Sequence, residues 1–270
     1  MKKFTVSTPA SLKEFTDSTY PQGSFCLAAL LREKDIKVNG VRVSQSVPLK
    51  AGDEVTYYTT PKQESLVSHN KVYEDENILI ADKLDGVETS ALLCELQAGG
   101  EYYAVHRLDR NTKGLIAFAK NKGAEDELLS AFKERRVEKT YLARCKNNFK
   151  TDKAVLTAYL KKDSKNSTVQ VFDKEVKGSL KIITEYRVLE KQGDTALVEV
   201  TLHTGKTHQI RAHTAHIGCP VLGDEKYGDS ALNKKYGAKR QCLVSYRLSF
   251  KLSGGLEYLN KKEFLSGLKP

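Results

Sequence analysis

The first 60 residues carry a pattern of apolar and polar positions that predicts a small separate unit. One face of a predicted helix holds the apolar side chains of Phe25, Ala28, Ala29 and Leu31. Apolar residues then alternate on both sides of Asn39-Gly40, a pair that tolerates positive φ and predicts a two-residue hairpin. A polar segment that begins with proline, at residues 60–65, ends the pattern. We therefore predict a unit over residues 1–62.

From Tyr73 onward the pattern predicts strands more often than helices. Strands are expected at residues 78–81, 114–119, 139–144, 181–190 and 196–203, with Gly193-Asp194 in the turn between the last two. A helix is expected over residues 122–135, with its core face formed by Ala124, Leu128, Leu129 and Phe132. A second helix over residues 207–217 would end at Gly218. Consecutive strands without regular βαβ alternation favour an α+β fold.

The composition is typical of a globular protein and not of a disordered one. Of the 270 residues, 40% are hydrophobic and 29% are charged, and the formal net charge is +10. Residues 144–165 carry seven basic and two acidic side chains, and residues 231–270 carry nine and two. This concentrated excess fits a surface that binds a polyanion, although two stretches kept basic for solubility fit it equally well.

The cysteines and the apolar runs indicate the cellular compartment. Five cysteines without a CxxC pair make a disulfide framework and a thiolate zinc site poor interpretations, so a reducing cytoplasm is expected. Two lysines near the N-terminus are followed by no apolar run, and no stretch approaches the ~20 apolar residues that span a bilayer. We expect a cytoplasmic protein with no membrane partner.

The densest polar cluster lies at residues 106–112, immediately before a predicted buried strand. Asp109 stands between Arg107 and Arg110, and neighbouring positive charge favours the ionised carboxylate. An oriented carboxylate can serve as a nucleophile or a base. A surface ion pair at the start of a strand explains the spacing as well.

A second polar cluster spans residues 203–216. Gly205-Lys206-Thr207 resembles the end of a phosphate-binding loop, but that motif needs a glycine where Val200 stands. The four histidines at 203, 208, 213 and 216 lack the i, i+4 pair and the acidic ligand of a helical zinc site. We therefore expect neither a nucleotide nor a metal there, and no GxSxG elbow occurs in the chain.

Three long motifs resemble the RluA-type pseudouridine synthases. They are HRLDRNTKGLIAFAK from residue 106, EKTYLARC from residue 138, and HTGKTHQIRAHTAHIGCPVLGDEKYG from residue 203; SYRLSF from residue 245 fits the closing strand. The N-terminal REKDIKVNGVRV and LKAGDEV are similar to the S-four-type RNA-binding module, although its usual opening Arg-Leu-Asp is absent. The resemblance implies a catalytic domain over residues 63–270, built on a mixed, largely antiparallel sheet with flanking helices.

The resemblance also implies an activity and the residues that perform it. Asp109 would attack the target uridine, at the base or at the ribose, and the freed uracil would rejoin the ribose through carbon 5. Arg211 would pair with Asp109, and Tyr141 would stack on the base and transfer a proton. From the spacing alone, a core tyrosine of a strand is the favoured interpretation of Tyr141.

The expected partner is structured RNA, ribosomal or transfer RNA, bound by a monomer without a cofactor or a metal. Arg107 matches the residue that fills the space left by a flipped base, and Lys139 matches a lysine near the RNA backbone. Further RNA contacts are expected from Arg110, Lys206 and His208. The chain departs from the family pattern at Asn111, Lys113 and Lys206. Two other classes stay open: a non-catalytic RNA-binding protein, such as a ribosome-assembly factor, and a glycosidase that releases the base.

Overall fold

A computed structural model describes residues 1–163 and 168–270. The N-terminal part is a compact unit with a four-stranded antiparallel sheet in the order β1-β6-β3-β4. Its elements are β1 (Lys2–Thr5), β2 (Ala10–Ser11), α1 (Leu12–Thr19), α2 (Pro21–Phe25), α3 (Leu27–Glu33), β3 (Ile36–Val38), β4 (Val41–Val43), β5 (Pro48–Leu49), β6 (Glu54–Tyr57) and α4 (Pro61–Glu64). The unit encloses its own apolar cluster, in which Leu12, Leu30, Ile36, Val55 and Tyr57 are fully buried.

The hairpin predicted at Asn39-Gly40 is confirmed. Strands β3 and β4 pair across it, and its two residues have φ values of 48° and 81°. The predicted helical face is wrong, because the chain leaves helical geometry at Cys26 and a new helix starts at Leu27. Leu27 and Leu30 are buried in its place, and Ala28 is exposed.

The rest of the described chain forms a large mixed sheet of eleven strands. Their order is β13-β12-β14-β15-β11-β16-β10-β8-β7, with β9 against β10 and β17 against β16. The strands are β7 (His69–Glu74), β8 (Ile78–Lys83), β9 (Tyr103–Ala104), β10 (Lys113–Ala119), β11 (Val137–Lys146), β12 (Lys153–Asp163), β13 (Thr168–Phe172), β14 (Leu180–Gln192), β15 (Thr195–Leu202), β16 (Leu243–Phe250) and β17 (Glu263–Leu265). Only β10 and β16 pair in parallel within the described ranges. The predicted α+β fold with a largely antiparallel sheet is therefore confirmed.

Helices cover parts of both faces of this sheet. They are α5 (Thr89–Gln97), α6 (Lys122–Lys133), α7 (Gln209–His216), α8 (Ser230–Lys235) and a 3₁₀ helix (Gly254–Leu259). Alternate residues of β8 and β10 belong to two different apolar clusters, which explains why these strands read as unbroken apolar runs. None of the helices among the described residues has the length and apolar character needed to span a bilayer.

Helix α6 buries Ala124, Leu128 and Ala131, as one face of its 3.6-residue period requires. The expectation that Leu129 also faces the core is wrong, because Leu129 points away from this face and is 42% exposed. The predicted strands at residues 181–190 and 196–203 are confirmed as β14 and β15, joined at Gly193-Asp194.

Gly114 fixes the entry into β10, directly after the Asp109 turn. Its φ is 107°, and a Cβ at this position would lie 2.3 Å from the Ser245 carbonyl oxygen. The Thr112 N–H donates to the Asp109 carbonyl at 3.0 Å and closes the turn. The close parallel pairing of β10 with β16 therefore holds the Asp109 loop at one end of the central strands.

Candidate active site

A cleft of about 1030 Å³ opens beside the central strands. Its walls come from β11 and β15, from the loop that carries Asp109, and from the loop that leads into α7. The two polar clusters of the sequence thus meet in one cavity, although more than 90 residues separate them. A volume of this size accommodates a nucleotide.

Asp109 and Arg211 form an ion pair in this cleft. The Arg211 Nη1 donates to Asp109 Oδ2 at 2.9 Å, and the Asp109 side chain retains 19% exposure. Arg211 is almost completely buried on α7. The carboxylate is therefore reachable from the cleft, whereas the guanidinium that orients it is shielded from solvent.

Asp224 holds the other edge of the Arg211 guanidinium. Its carboxylate accepts Nε at 2.7 Å and Nη2 at 3.0 Å, and it also accepts the backbone N–H groups of Lys226 and Tyr227. Burial by itself would raise the pKa of Asp224, but the hydrogen bonds and charge of Arg211 outweigh it and hold that pKa below its ordinary value. Arg211 is thus fixed between two carboxylates, only one of which faces the cleft.

Asp224 lies within the third motif, and the sequence alone predicts no role for it. A planar guanidinium can bind two carboxylates at once, and Asp224 is an acidic residue close along the chain to Arg211. The sequence therefore offered Asp224 as a possible second partner of Arg211. The pairing itself depends on how the segment after α7 folds back, which the sequence does not reveal.

Tyr141 lies on β11 at a register shift in the pairing with β16. The side chain lines the cleft and is only 7% exposed. Burial raises the pKa of the phenol far above its ordinary range, the hydrogen bond with Ser245 opposes this, and the charge of Asp109 adds to it. Tyr141 therefore presents a neutral ring and a protonated hydroxyl next to the Asp109 carboxylate.

His208 approaches Asp109 from the start of α7. Its Nε2 lies 3.7 Å from Asp109 Oδ2, and its Nδ1 lies 2.9 Å from the hydroxyl of Tyr227. Burial lowers the pKa of His208, an effect that the charge of Asp109 opposes. The neutral tautomer that accepts at Nδ1 carries its proton on Nε2, which faces the carboxylate. Tyr227, which the sequence analysis also left without a role, sets this orientation.

Arg107, Lys139 and Lys206 all line the cleft. Arg107 and Lys206 are exposed, and neither side chain has a hydrogen-bond or ion-pair partner within residues 1–163 and 168–270. Lys139 is less accessible, and its ammonium lies 5.6 Å from the ring centroid of Phe132. Burial lowers the pKa of Lys139. These three predicted RNA-binding residues are brought together with Asp109.

Arg110, for which an RNA contact was also expected, lies outside the cleft. Its guanidinium donates to Asp17 at 3.2 Å and to Glu88 at 3.0 Å, and it also reaches the Ser24 carbonyl. Asp17 and Ser24 belong to the N-terminal unit. Because these acceptors occupy the guanidinium, Arg110 fastens the Asp109 loop to that unit and does not line the cleft.

Lys83 stabilises the loop that carries Asp109 by donating hydrogen bonds to backbone carbonyls. Its fully buried ammonium donates to the carbonyls of Leu84, Val87 and Arg110 at 3.1, 2.8 and 3.0 Å. Burial lowers the pKa of Lys83 to about 7. Three acceptors for three N–H groups define the conformation of the segment around Asp85.

The positive charge of the cleft does not come from the two basic segments of the sequence. Among the described residues, the lysines and arginines of its lining are Arg107, Lys133, Arg135, Arg136, Lys139, Lys206, Arg211 and Lys251. Only Lys251 belongs to residues 231–270, and none belongs to residues 144–165. Strand β12, within the first segment, is separated from β11 by β14 and β15.

The four histidines of the second motif lie against separate partners. His203 contacts Glu185, His213 contacts Thr184, and His216 contacts Asp173. Within the two described ranges no group of three His, Cys, Asp or Glu residues is arranged to hold a metal ion.

A carboxylate–arginine pair thus lies in a cleft lined by many basic side chains, which favours binding of a polyanion. Comparison with known proteins gives the family. Residues 57–216 match the family described as RNA pseudouridylate synthase. Ribosomal large subunit pseudouridine synthase C of Rickettsia conorii is 30% identical over 84% of this chain and 86% of its own. An RNA pseudouridine synthase of Aquifex aeolicus is 32% identical over 88% and 85%.

Solved structures agree with this assignment. The human RNA pseudouridylate synthase domain containing 1 superposes with a TM-score of 0.60 at 25% identity, covering 75% of this chain and 83% of that one. The human domain containing 4 has the same fold, with a TM-score of 0.61 at 21% identity over 74% and 88%. The chain belongs to the RNA pseudouridine synthase family, whose members isomerise uridine in RNA to pseudouridine.

Proposed function

We propose that Asp109 is the catalytic residue of this RNA pseudouridine synthase. The observation that carries the proposal is the 2.9 Å contact between Asp109 Oδ2 and Arg211 Nη1 in a cleft of nucleotide size. In the reaction, the bond from ribose C1′ to N1 of uracil breaks and a bond from C1′ to C5 forms. N1 gains a proton and C5 loses one, so atoms and charge balance without an external reagent.

Arg211 is the positioning residue for this carboxylate. It fixes the direction of Oδ2, while the buried Asp224 prevents the guanidinium from rotating away. A charge held in this way needs no reorganisation when the substrate arrives. Removing Arg211 would leave Asp224 buried without its counter-ion, which is a large penalty.

Tyr141 is proposed to stack on the uracil and to transfer a proton. The ring stands on a rigid strand next to Asp109, and the raised pKa keeps the hydroxyl protonated at neutral pH. A protonated phenol can donate to the base while the glycosidic bond breaks. His208 directs its Nε2 toward the same oxygen of Asp109 that Arg211 contacts, at 3.7 Å.

A uridine within folded RNA reaches Asp109 only if it is flipped out of its stack. We propose that Arg107 fills the vacated space, because it is exposed at the edge of the cleft without an intramolecular partner in the described ranges. Lys139 and Lys206 would contact the phosphate backbone, and His208 would contact the bound nucleotide. Arg110 is left out of this set because Asp17 and Glu88 occupy it.

We further propose that residues 1–62 form an S-four-like RNA-binding module and residues 63–270 the catalytic domain. The separate apolar cluster of the N-terminal unit supports this division. The exposed hairpin adds a basic surface, with Lys37 and Arg42 each 5.5 Å from the ring of Tyr58.

The proposed substrate is ribosomal RNA of the large subunit, because relatives such as the Rickettsia conorii protein carry that activity in their names. We also propose that the protein is a cytoplasmic monomer. Transfer RNA is the competing substrate. Pseudouridine mapping of total RNA from cells with and without the protein distinguishes them, since a missing position in transfer RNA would contradict the ribosomal assignment.

The decisive experiment on Asp109 replaces it with asparagine. We expect turnover to fall by at least about 10⁴-fold while RNA affinity stays within about threefold of the parent protein. Asp126→Asn, an exposed carboxylate on α6, is the matched control and should have full activity. Pseudouridine formation by Asp109→Asn would overturn the assignment. If the parent protein, like Asp109→Asn, forms no pseudouridine, the protein has a purely RNA-binding role. Release of free uracil by the parent protein would indicate a glycosidase.

A further inference from the structure

The turn between α6 and β11 contains two adjacent arginines with different surroundings. Arg136 is fully engaged within the protein: its guanidinium donates to Glu134 at 2.8 Å, to the Lys251 carbonyl at 3.0 Å and to Ser130 at 3.2 Å. The Arg135 guanidinium has no hydrogen-bond or ion-pair partner among the described residues. It is exposed, and it lines the cleft. Arg136 thus fixes the turn, and Arg135 extends from it.

Arg135 also occupies a backbone position that favours glycine. Its φ is 61°, and it stands at the C′ position of α6, where the Arg136 N–H donates to the Ala131 carbonyl at 2.8 Å. The Arg135 N–H is directed at the Phe132 carbonyl at 3.4 Å, which completes the Schellman pattern. A side chain with a Cβ is strained in this conformation.

The strain and the exposed charge are explained together if the side chain has an external ligand. Lys133 and Lys251 line the same part of the cleft, and both are exposed. Three cations on one rim, of which Arg135 carries a planar fork, match the geometry of a phosphate group. Two acidic residues belong to this stretch: Glu134 is paired with Arg136, and Glu138 lines the cleft with the three cations.

We propose that Arg135 binds a phosphodiester of the RNA next to the flipped uridine, with Lys133 and Lys251 beside it. This inference rests on the proposed function, because the cleft must hold RNA. Arg107 and Lys206 come from loops other than the α6–β11 turn, so the bound strand would contact the protein on both sides of Asp109.

The test uses Arg135→Gly, for which stability and binding should change in opposite directions. Glycine removes the strain of the positive φ, which stabilises the folded protein, but it also makes the unfolded chain more flexible, which opposes this gain. We expect the net effect to raise the melting temperature by about 1–3 °C. RNA affinity should fall by about tenfold, and the slope of log affinity against log salt should decrease by about one phosphate contact. Arg135→Lys should keep the slope.

Binding is measured with unmodified transcripts of large-subunit ribosomal RNA and of transfer RNA, in an Asp109→Asn background. Conversion of the RNA then does not enter the measurement, and a failure of the proposed catalytic role stays distinct from a failure of this inference. Lys34→Gly is the stability control, because Lys34 has a φ of 57° and the same pattern of N–H donors at the end of α3. Lys150→Ala removes an exposed charge outside the cleft and should leave affinity unchanged.

An affinity and salt slope for Arg135→Gly equal to those of the parent would overturn the proposal. An equal loss in Lys150→Ala would also overturn it, since the contact would then be unspecific. A lower melting temperature for Arg135→Gly would show that the arginine serves the fold, which contradicts the inference as well.

Discussion

Asp224→Asn removes one negative charge from the buried partner of Arg211 and keeps the shape of the side chain. In the parent protein, the wholly buried carboxylate accepts Nε and Nη2 of Arg211 at 2.7 and 3.0 Å. Asparagine offers one acceptor where two are needed, and its NH₂ group faces an N–H donor. Breaking a buried pair costs about 3–5 kcal/mol, and we expect the lower value because Asp109 still neutralises Arg211.

A loss of about 3 kcal/mol corresponds to a fall in melting temperature of about 6–12 °C for a chain of this size. Activity should fall further than stability explains, because Arg211 is then held by Asp109 alone and shifts with it. A displacement of about 1 Å at a reacting group can reduce turnover about 100-fold. Single-turnover pseudouridine formation, measured well below the melting temperature, separates this effect from unfolding.

The matched control is Glu225→Gln, which removes the same charge one residue later from an exposed side chain. It should change the melting temperature by less than about 2 °C and leave turnover unchanged. If Asp224→Asn behaves like this control, the proposed anchoring of Arg211 is incorrect. If it loses stability but keeps turnover, Asp224 supports the fold and does not position the catalytic pair.

Three further predictions concern the framework around the site. Arg110→Ala leaves Asp17 and Glu88 with Lys13 as their remaining cation, and we expect a loss of about 2 kcal/mol in urea unfolding; the exposed Arg32→Ala should change it by less than about 0.5 kcal/mol. Gly223→Ala should lower the free energy of unfolding by more than about 3 kcal/mol, because its Cβ would lie 1.8 Å from the Arg240 carbonyl oxygen. The control is Gly237→Ala, whose Cβ meets no atom within 4 Å and which is destabilised only by its φ of 60°. Burial, and secondarily the charge of His216, lowers the pKa of His213 to about 4. The unfolded chain then binds more protons between about pH 6.5 and 4, so stability falls as the pH falls through this window. His213→Asn should flatten that fall in thermal scans, and an unchanged slope would contradict the assignment.

The elements near the site were predictable where one local pattern determined them. Strands β8 and β10 are buried on both faces, and such strands read as continuous apolar runs. The hairpin at Asn39-Gly40 depends on the φ preferences of two residues. The predicted helical face at residues 25–31 is wrong, because one helix ends before Cys26 and another begins after it. The apolar spacing in the sequence does not reveal this break.

The charges of the site were less predictable, because their partners are set by tertiary structure. Arg107 and Arg110 flank the same aspartate, yet one is exposed in the cleft and the other is bound to Asp17, 93 residues earlier in the chain. The large basic excess at residues 144–165 suggested an RNA surface, but much of that segment forms β12, near one edge of the sheet. Summed charge along a chain therefore locates a binding surface only when the fold brings those residues to it.

The contrast between Arg107 and Arg110 bears on how the N-terminal unit serves catalysis. Arg110 follows Asp109 directly, and it makes two ion pairs and a hydrogen bond that involve Asp17, Ser24 and Glu88. Lys13 bridges the same two acids from α1. A displacement of α1 would therefore pull on the backbone next to the Asp109 carboxylate. Under the roles proposed above, in which that carboxylate is catalytic and the N-terminal unit holds RNA, binding of RNA to this unit would act on turnover and not on affinity alone.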